Sequence, residues 1–246
     1  MPIAVYVKKT PQPKKINLKK FPVTWNKNYD RFFFVFISLV GLSSMVFALG
    51  PIVYWQLKTL PKLLYKIEGF PVPQEKVLSA KFTLSENIQV ARDTDGFSFF
   101  TTNYIPEGKR PKEFSLSVPK LEIENALAKV DSIKFDKSLS HFPGSPLPGE
   151  VGNSFVTGHS ALPQFNSPDN YRTIFTNLSK LEVGDEIFVE IEEKKLKFIV
   201  QYSKIVDPHD LSVLAPISQN SKNLTLMTCV PPGTNSKRLV VISSLI

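Results

Sequence analysis

From Phe32 to Trp55 the chain reads FFFVFISLVGLSSMVFALGPIVYW without one charged side chain, and no other stretch limits so firmly what it can fold into. A helix of about 20 apolar residues crosses a hydrocarbon layer of roughly 30 Å. A run of this composition leaves no polar face with which a soluble helix would meet water. Tyr54 and Trp55 stand at its far end, where amphipathic rings suit the headgroup level. The net charge of +8 is gathered in front of it: Lys8, Lys9, Lys14, Lys15, Lys19, Lys20, Lys27 and Arg31 face the single acid Asp30 within residues 1–31. Lysine-rich flanks stay on the cytoplasmic side. The expectation is a basic cytoplasmic tail at 1–31, a transmembrane helix at 32–55 and an extracytoplasmic remainder, in a single-pass plasma-membrane protein. A cleaved signal peptide is the competing reading, since Ala48 and Gly50 are small. Against it, the run exceeds the roughly 7–15 residues of a signal core, and Pro51 would follow the cut. A basic tail that stops where an apolar run begins is an anchor flank, so no nucleic-acid partner is expected.

Hydrophobic content of 42% and charged content of 21% belong to a folded chain. The single cysteine excludes an intramolecular disulfide, so stability has to come from a core. Residues 56–113 carry Lys58, Lys62, Lys66, Pro71 and Pro73 in mixed polarity and read as a stalk. Within them the stretches KFTLS and FSFFTT suit edge strands or a flap. From Phe114 onward short apolar segments alternate with turn residues, the pattern of an all-β domain over 114–246. In GDEIFVEIEEKKLKFIVQYSKIV, Ile187, Val189 and Ile191 share one face, and Leu196, Phe198, Val200 and Tyr202 share one on the return. Glu192–Lys195 is the expected hairpin turn. FSLSVP, GNSFVTG, LTLMTC and RLVVIS are further strand candidates. A small closed barrel of roughly 130 residues accommodates them and removes exposed sheet edges.

Cys229 ends the segment LTLMTC and is followed by Pro231 and Pro232. Proline cannot donate to a ladder, so the strand stops there and the thiol is expected at the mouth of the sheet. Alternation puts Thr225, Met227 and Cys229 on one face. The loop VPPGTNSK then returns the chain to Arg238, which opens RLVVIS, making Cys229 and Arg238 expected neighbours on adjacent strands. Taken alone, Cys229 also suits a buried small hydrophobe, and Arg238 a solvated surface charge. A cysteine nucleophile needs an imidazole partner, and there are 3 histidines. His209 lies in the turn-like VDPHDLSVL and His141 before the loop FPGSPLPG, which it could fix by hydrogen bonding. His159 leaves a candidate strand in SFVTGHSAL, with Gly158 permitting a sharp turn, and is the best partner. For an unperturbed thiol and imidazole, only about 1% of pairs carry both charges at pH 7.

LTLMTC followed by this arginine resembles the sortase signature TLxTC…R, and GNSFVTGHS resembles the histidine motif of that family. HFPGSPLPGEVGN, FTNLSKLEVGDEI and VDPHDLSVL are similar to its intervening segments, in its order, over residues 114–246. The resemblance implies an eight-stranded sortase β-barrel with short helices. It implies that Cys229 attacks a sorting-signal peptide bond of the LPxTG kind to form a thioester, and that His159 exchanges protons with the departing and incoming amines. Arg238 would hold the substrate backbone or oxyanion, and Thr228, Met227 and Asn235 would line the substrate. The implied partners are surface-protein sorting signals and an amine of a wall precursor or a protein lysine. No cofactor is expected, and no acidic cluster resembles a metal site. The Asp-Pro-aromatic lid motif and second membrane span of many pilus-building members have no counterpart here.

Two other readings compete: a cysteine hydrolase on the same barrel, which passes the acyl group to water, and a non-catalytic anchored module that binds peptides. Residues 75–113 are further expected to fold across the groove as a regulatory flap, on the strength of their apolar pieces FTL and FSFF.

Overall fold

The computed structural model describes residues 27–65, 88–92, 98–103 and 108–246. The tail before Lys27, together with Lys66, Pro71, Pro73 and KFTLS, lies outside them. The chain forms two compact units, Met1–Met45 and Val46–Ile246. Helix α1 runs Lys27–Tyr65. Its stretch Arg31–Leu63 is long and apolar enough to cross a membrane, and from Phe32 to Leu49 its side chains are exposed. The expected span lies inside this helix, which continues past Trp55 because QLKTL and KLLY are built largely of residues with good helix propensity. Pro51 and Pro61 both sit within it.

The second unit holds two sheets. Strands β1 (Ile88–Arg92) and β2 (Ser98–Thr102) pair antiparallel as a two-stranded sheet among the described residues. The other eight, β3 (Glu113–Val118), β4 (Ile123–Lys129), β5 (Leu139–His141), β6 (Gly152–Thr157), β7 (Glu186–Ile191), β8 (Lys194–Val206), β9 (Lys222–Val230) and β10 (Lys237–Leu245), close a barrel. Their order is β10-β8-β7-β3-β4-β5-β6-β9. Two pairs are parallel, β4 with β5 and β6 with β9. The closed all-β barrel and four of the five segments expected as strands or a hairpin within 114–246 match directly. The fifth, the β7–β8 hairpin, turns at Glu192 and Glu193, with Ile191 opposite Lys194 and Glu192 at φ 54°.

One expected face changes sides. Phe198 and Val200 point into the same core, but Tyr202 does not join them. Opposite β10 the register jumps from Ile242↔Tyr202 to Ser243↔Val200, so Gln201 is an extra residue. Such a bulge flips the alternation of everything beyond it.

Two apolar clusters result. The first takes side chains from all eight barrel strands, among them Leu116, Ala128, Leu139, Val156, Ile187, Phe198, Leu226 and Leu239, and is therefore the barrel interior. The second takes Phe155, Val206, Met227, Val240 and Ile242 from β6, β8, β9 and β10, and lies on their outer face. It is covered by Phe100 of β2, Phe142, and Val213 and Leu214 from the turn after β8. Alternation extends that outer face from Met227 to Cys229 and from Val240 to Arg238.

Candidate active site

β9 ends at Val230, immediately before Pro231, as a missing N–H donor requires. In the antiparallel ladder with β10, Cys229 stands directly opposite Arg238. Two residues separated by a loop in sequence are thus cross-strand neighbours, about 5 Å apart at Cα. Cys229 is half-buried and forms no disulfide. Arg238 is 1% exposed, so it is not the solvated charge that a strand-opening arginine usually is. Its Nη1 donates to the carbonyl oxygens of Asn235 at 2.9 Å and Lys237 at 3.0 Å. These bonds let a buried charge persist and pin the end of the Cys–Arg loop at the same time.

β6 delivers His159. It runs parallel to β9 with Thr157 opposite Met227, and the next residues keep following the same strand. The Gly158 N–H donates to the Met227 carbonyl at 3.1 Å. The Thr228 hydroxyl donates to the Gly158 carbonyl at 2.8 Å, and the Ser160 hydroxyl donates to the Cys229 carbonyl at 2.7 Å. On its other side the His159 carbonyl accepts from the Phe175 N–H at 3.0 Å. The backbone of His159 is therefore bracketed beside the end of β9, and Cys229, Arg238 and His159 gather at one end of one barrel face. Gly158 serves this by its size. Its φ is not in the left-handed range, but a Cβ there would come within 2.6 Å of Phe175 Cδ2 and 2.8 Å of Leu139 Cδ2.

The imidazole of His159 has two further neighbours that the sequence reading passed over. The Phe135 ring lies 4.3 Å away, centroid to centroid, tilted by 48°. Asp136 Oδ1 lies 3.5 Å from Nε2. Both sit in the connection between β4 and β5, where SIKFDKSLS gives no periodic or turn signal to set them apart. Ser160 was also missed, although its place directly after His159 at a strand exit was a usable hint.

The residues expected to line the substrate fall in three different places. Met227 shares the Cys229 face and is buried beneath Phe100 in the outer cluster. Asn235 is exposed on the Cys–Arg loop, with its carbonyl committed to Arg238. Thr228 is buried on the opposite face, where its hydroxyl braces Gly158. The remaining histidines have other partners. His209 is an exposed partner of Asp207, with Nδ1 3.1 Å from its carboxylate. His141 is fully buried, with Nε2 3.1 Å from the Pro146 carbonyl and 3.0 Å from the Ser145 hydroxyl. It fixes the loop that follows it. Burial pushes the His141 imidazole down to about 4. The Asp131 carboxylate at 3.9 Å would favour its charged form, but that carboxylate is already paired with Arg110 at 3.2 Å, and desolvation prevails. Among the described residues, no group of three or more His, Cys, Asp or Glu is placed to hold a metal ion.

Among solved structures, the chain is similar to a lid mutant of sortase A from Corynebacterium diphtheriae, with 31% identity and a TM-score of 0.48, covering 56% of this chain and 72% of that one. It is also similar to Streptococcus agalactiae sortase C1 in complex with MTSET, with 29% identity and a TM-score of 0.48, covering 55% and 69%. Among curated proteins, it is 25% identical over 130 residues to Sortase D of Bacillus subtilis (strain 168), spanning 51% of this chain and 60% of that relative's length. The family model described as the sortase domain matches residues 116–246, more than half of the chain and all of the barrel except the first residues of β3, and on that match the chain belongs to the sortase family.

Proposed function

We propose that this protein is a membrane-anchored cysteine transpeptidase, which cleaves an LPxTG-like sorting signal through a thioester on Cys229 and transfers the acyl group to an amine. The observation that carries this reading is the pairing of Cys229 with Arg238 across β9 and β10, with His159 tied alongside by the bonds of Gly158 and Ser160 to β9. The Cys229 thiolate adds to the peptide carbonyl carbon. A C–S bond forms, the C–N bond breaks, and the departing amine takes a proton from the His159 imidazolium. The incoming amine then loses a proton to the imidazole and attacks the thioester. The new C–N bond releases the thiolate. Arg238 stabilises the oxyanion, a task for a cation held at fixed position out of water. Met227 and Asn235 flank the bound peptide, and Thr228 holds the His159 segment in place.

The acceptor is an amine of a wall precursor or a protein lysine. The helix spans the plasma membrane with the tail inside and the barrel outside. The β1–β2 hairpin acts as a flap on the Cys229 face, which its Phe100 covers by packing on Phe142 and Phe155. Full-length protein in detergent, given an LPxTG-type peptide and oligoglycine, is expected to yield a ligated product. Cys229→Ala yields none, and Arg238→Gln lowers kcat/KM by about 100-fold or more. Free acid alone, with oligoglycine in excess, would instead identify a hydrolase.

A further inference from the structure

The connection between β4 and β5 is rooted at its base. The Ser132 N–H donates to the His141 carbonyl at 3.0 Å. Asp131 Oδ1 accepts from the Gly144 N–H at 3.0 Å, and the Ser140 hydroxyl donates to the Ser132 carbonyl. From that base the connection reaches across to His159 with two side chains of complementary kinds. The Phe135 ring at 4.3 Å constrains the plane of the imidazole, and the Asp136 carboxylate meets its Nε2 edge at 3.5 Å. Asp136 is 63% exposed while His159 is 13% exposed, so the carboxylate is held from the solvent side. Arg172 Nη2 lies 3.9 Å from the same oxygen, which makes a row of Arg172, Asp136 and His159. A base that is itself oriented by a third group is the general arrangement for an activated nucleophile. A carboxylate within about 4 Å favours the charged imidazole.

We infer that Phe135 and Asp136 are positioning residues for His159: the ring fixes the imidazole plane, and the carboxylate holds the imidazolium in place while the thioester forms and breaks. This rests on the reading that His159 exchanges protons with the two amines. The charged and titratable groups on the elements around His159 include Asp131, Lys134, Asp136 and Lys137 in the β4–β5 connection, Asp169 and Arg172 in the loop after His159, Cys229 on β9, and Lys237 and Arg238 on β10; the Asp136 carboxylate meets the imidazole and Arg172 meets that carboxylate.

The test follows the rate at which iodoacetamide alkylates Cys229 against pH, in the full chain in detergent, by mass spectrometry. The sequence holds 1 cysteine, so one adduct reports one thiol. The parent is expected to show two steps, the lower one tracking the imidazole. Asp136→Asn moves the lower step to lower pH and reduces the kcat of peptide ligation several-fold, with peptide KM little changed. Asp136→Glu restores both, and Phe135→Ala lowers kcat without moving the step. A single step in the parent, or a lower step unmoved in Asp136→Asn, overturns the inference. So does an Asp136→Asn defect confined to the KM of the amine, which would make the carboxylate a seat for the acceptor. A parent that ligates no peptide while its lower step still responds to Asp136→Asn would sink the transpeptidase reading and leave the positioning pair standing.

Discussion

Two buried side chains with opposite charge behaviour frame this barrel. Arg238 stays charged because a guanidinium does not deprotonate at working pH and because two loop carbonyls receive it. His141, sealed between Pro146 and Ser145, is held neutral instead. Its folded value of about 4 lies below the ordinary 6.5, so the unfolded chain binds more protons between those limits. Stability from this site is complete above about pH 6.5 and drains away as pH falls toward 4, by roughly 3 kcal/mol in all. Denaturant midpoints measured from pH 7 down to pH 4 are expected to show that slope, and a His141→Asn variant that still folds is expected to lose it. The proposed catalytic trio was legible in the sequence because each member lies at a strand end marked by Pro, Gly or a turn. Phe135 and Asp136 were not, because a loop residue gains its partner only from the closure of the barrel, and no local period records that.

Among the elements, the strands with clean alternation declared themselves, and those that depart from it did not. β4, IENALAK, mixes helix-favouring Ala and Lys with Asn125 at φ 49°, so its pattern suits neither period well. The Ser117 hydroxyl accepts the Asn125 N–H at 2.8 Å, meeting a donor that the ladder drops. β5 is only three residues long, too short to leave a period at all. The bulge at Gln201 shows up only in the pairing with β10. Among the described residues, the β1–β2 hairpin contributes Phe100 to the outer cluster, with Ile88 and Val90 at its margin. Elements at the margin of a core open at lower local cost than those inside it. Phe100→Ala is accordingly expected to speed both Cys229 alkylation and peptide turnover several-fold, with the denaturation midpoint of the barrel nearly unchanged. Equal or slower rates in the folded variant would remove the hairpin from any gating role.

For the molecule as a whole, the apolar helix and the solitary thiol supply a direct reading of topology. A membrane-impermeant maleimide added to intact cells is expected to label Cys229 without lysis, with Cys229→Ala as the blank. Labelling that appears only after the cells are broken would put the barrel on the inner side. The Cys–Arg loop also has a bearing on how such a protein diversifies. Its two feet are bolted together by the facing of Val230 with Lys237 and of Cys229 with Arg238, and the Asn235 carbonyl between them receives the Arg238 guanidinium, so side chains in that stretch can vary while its ends stay in register, as long as that carbonyl keeps its place.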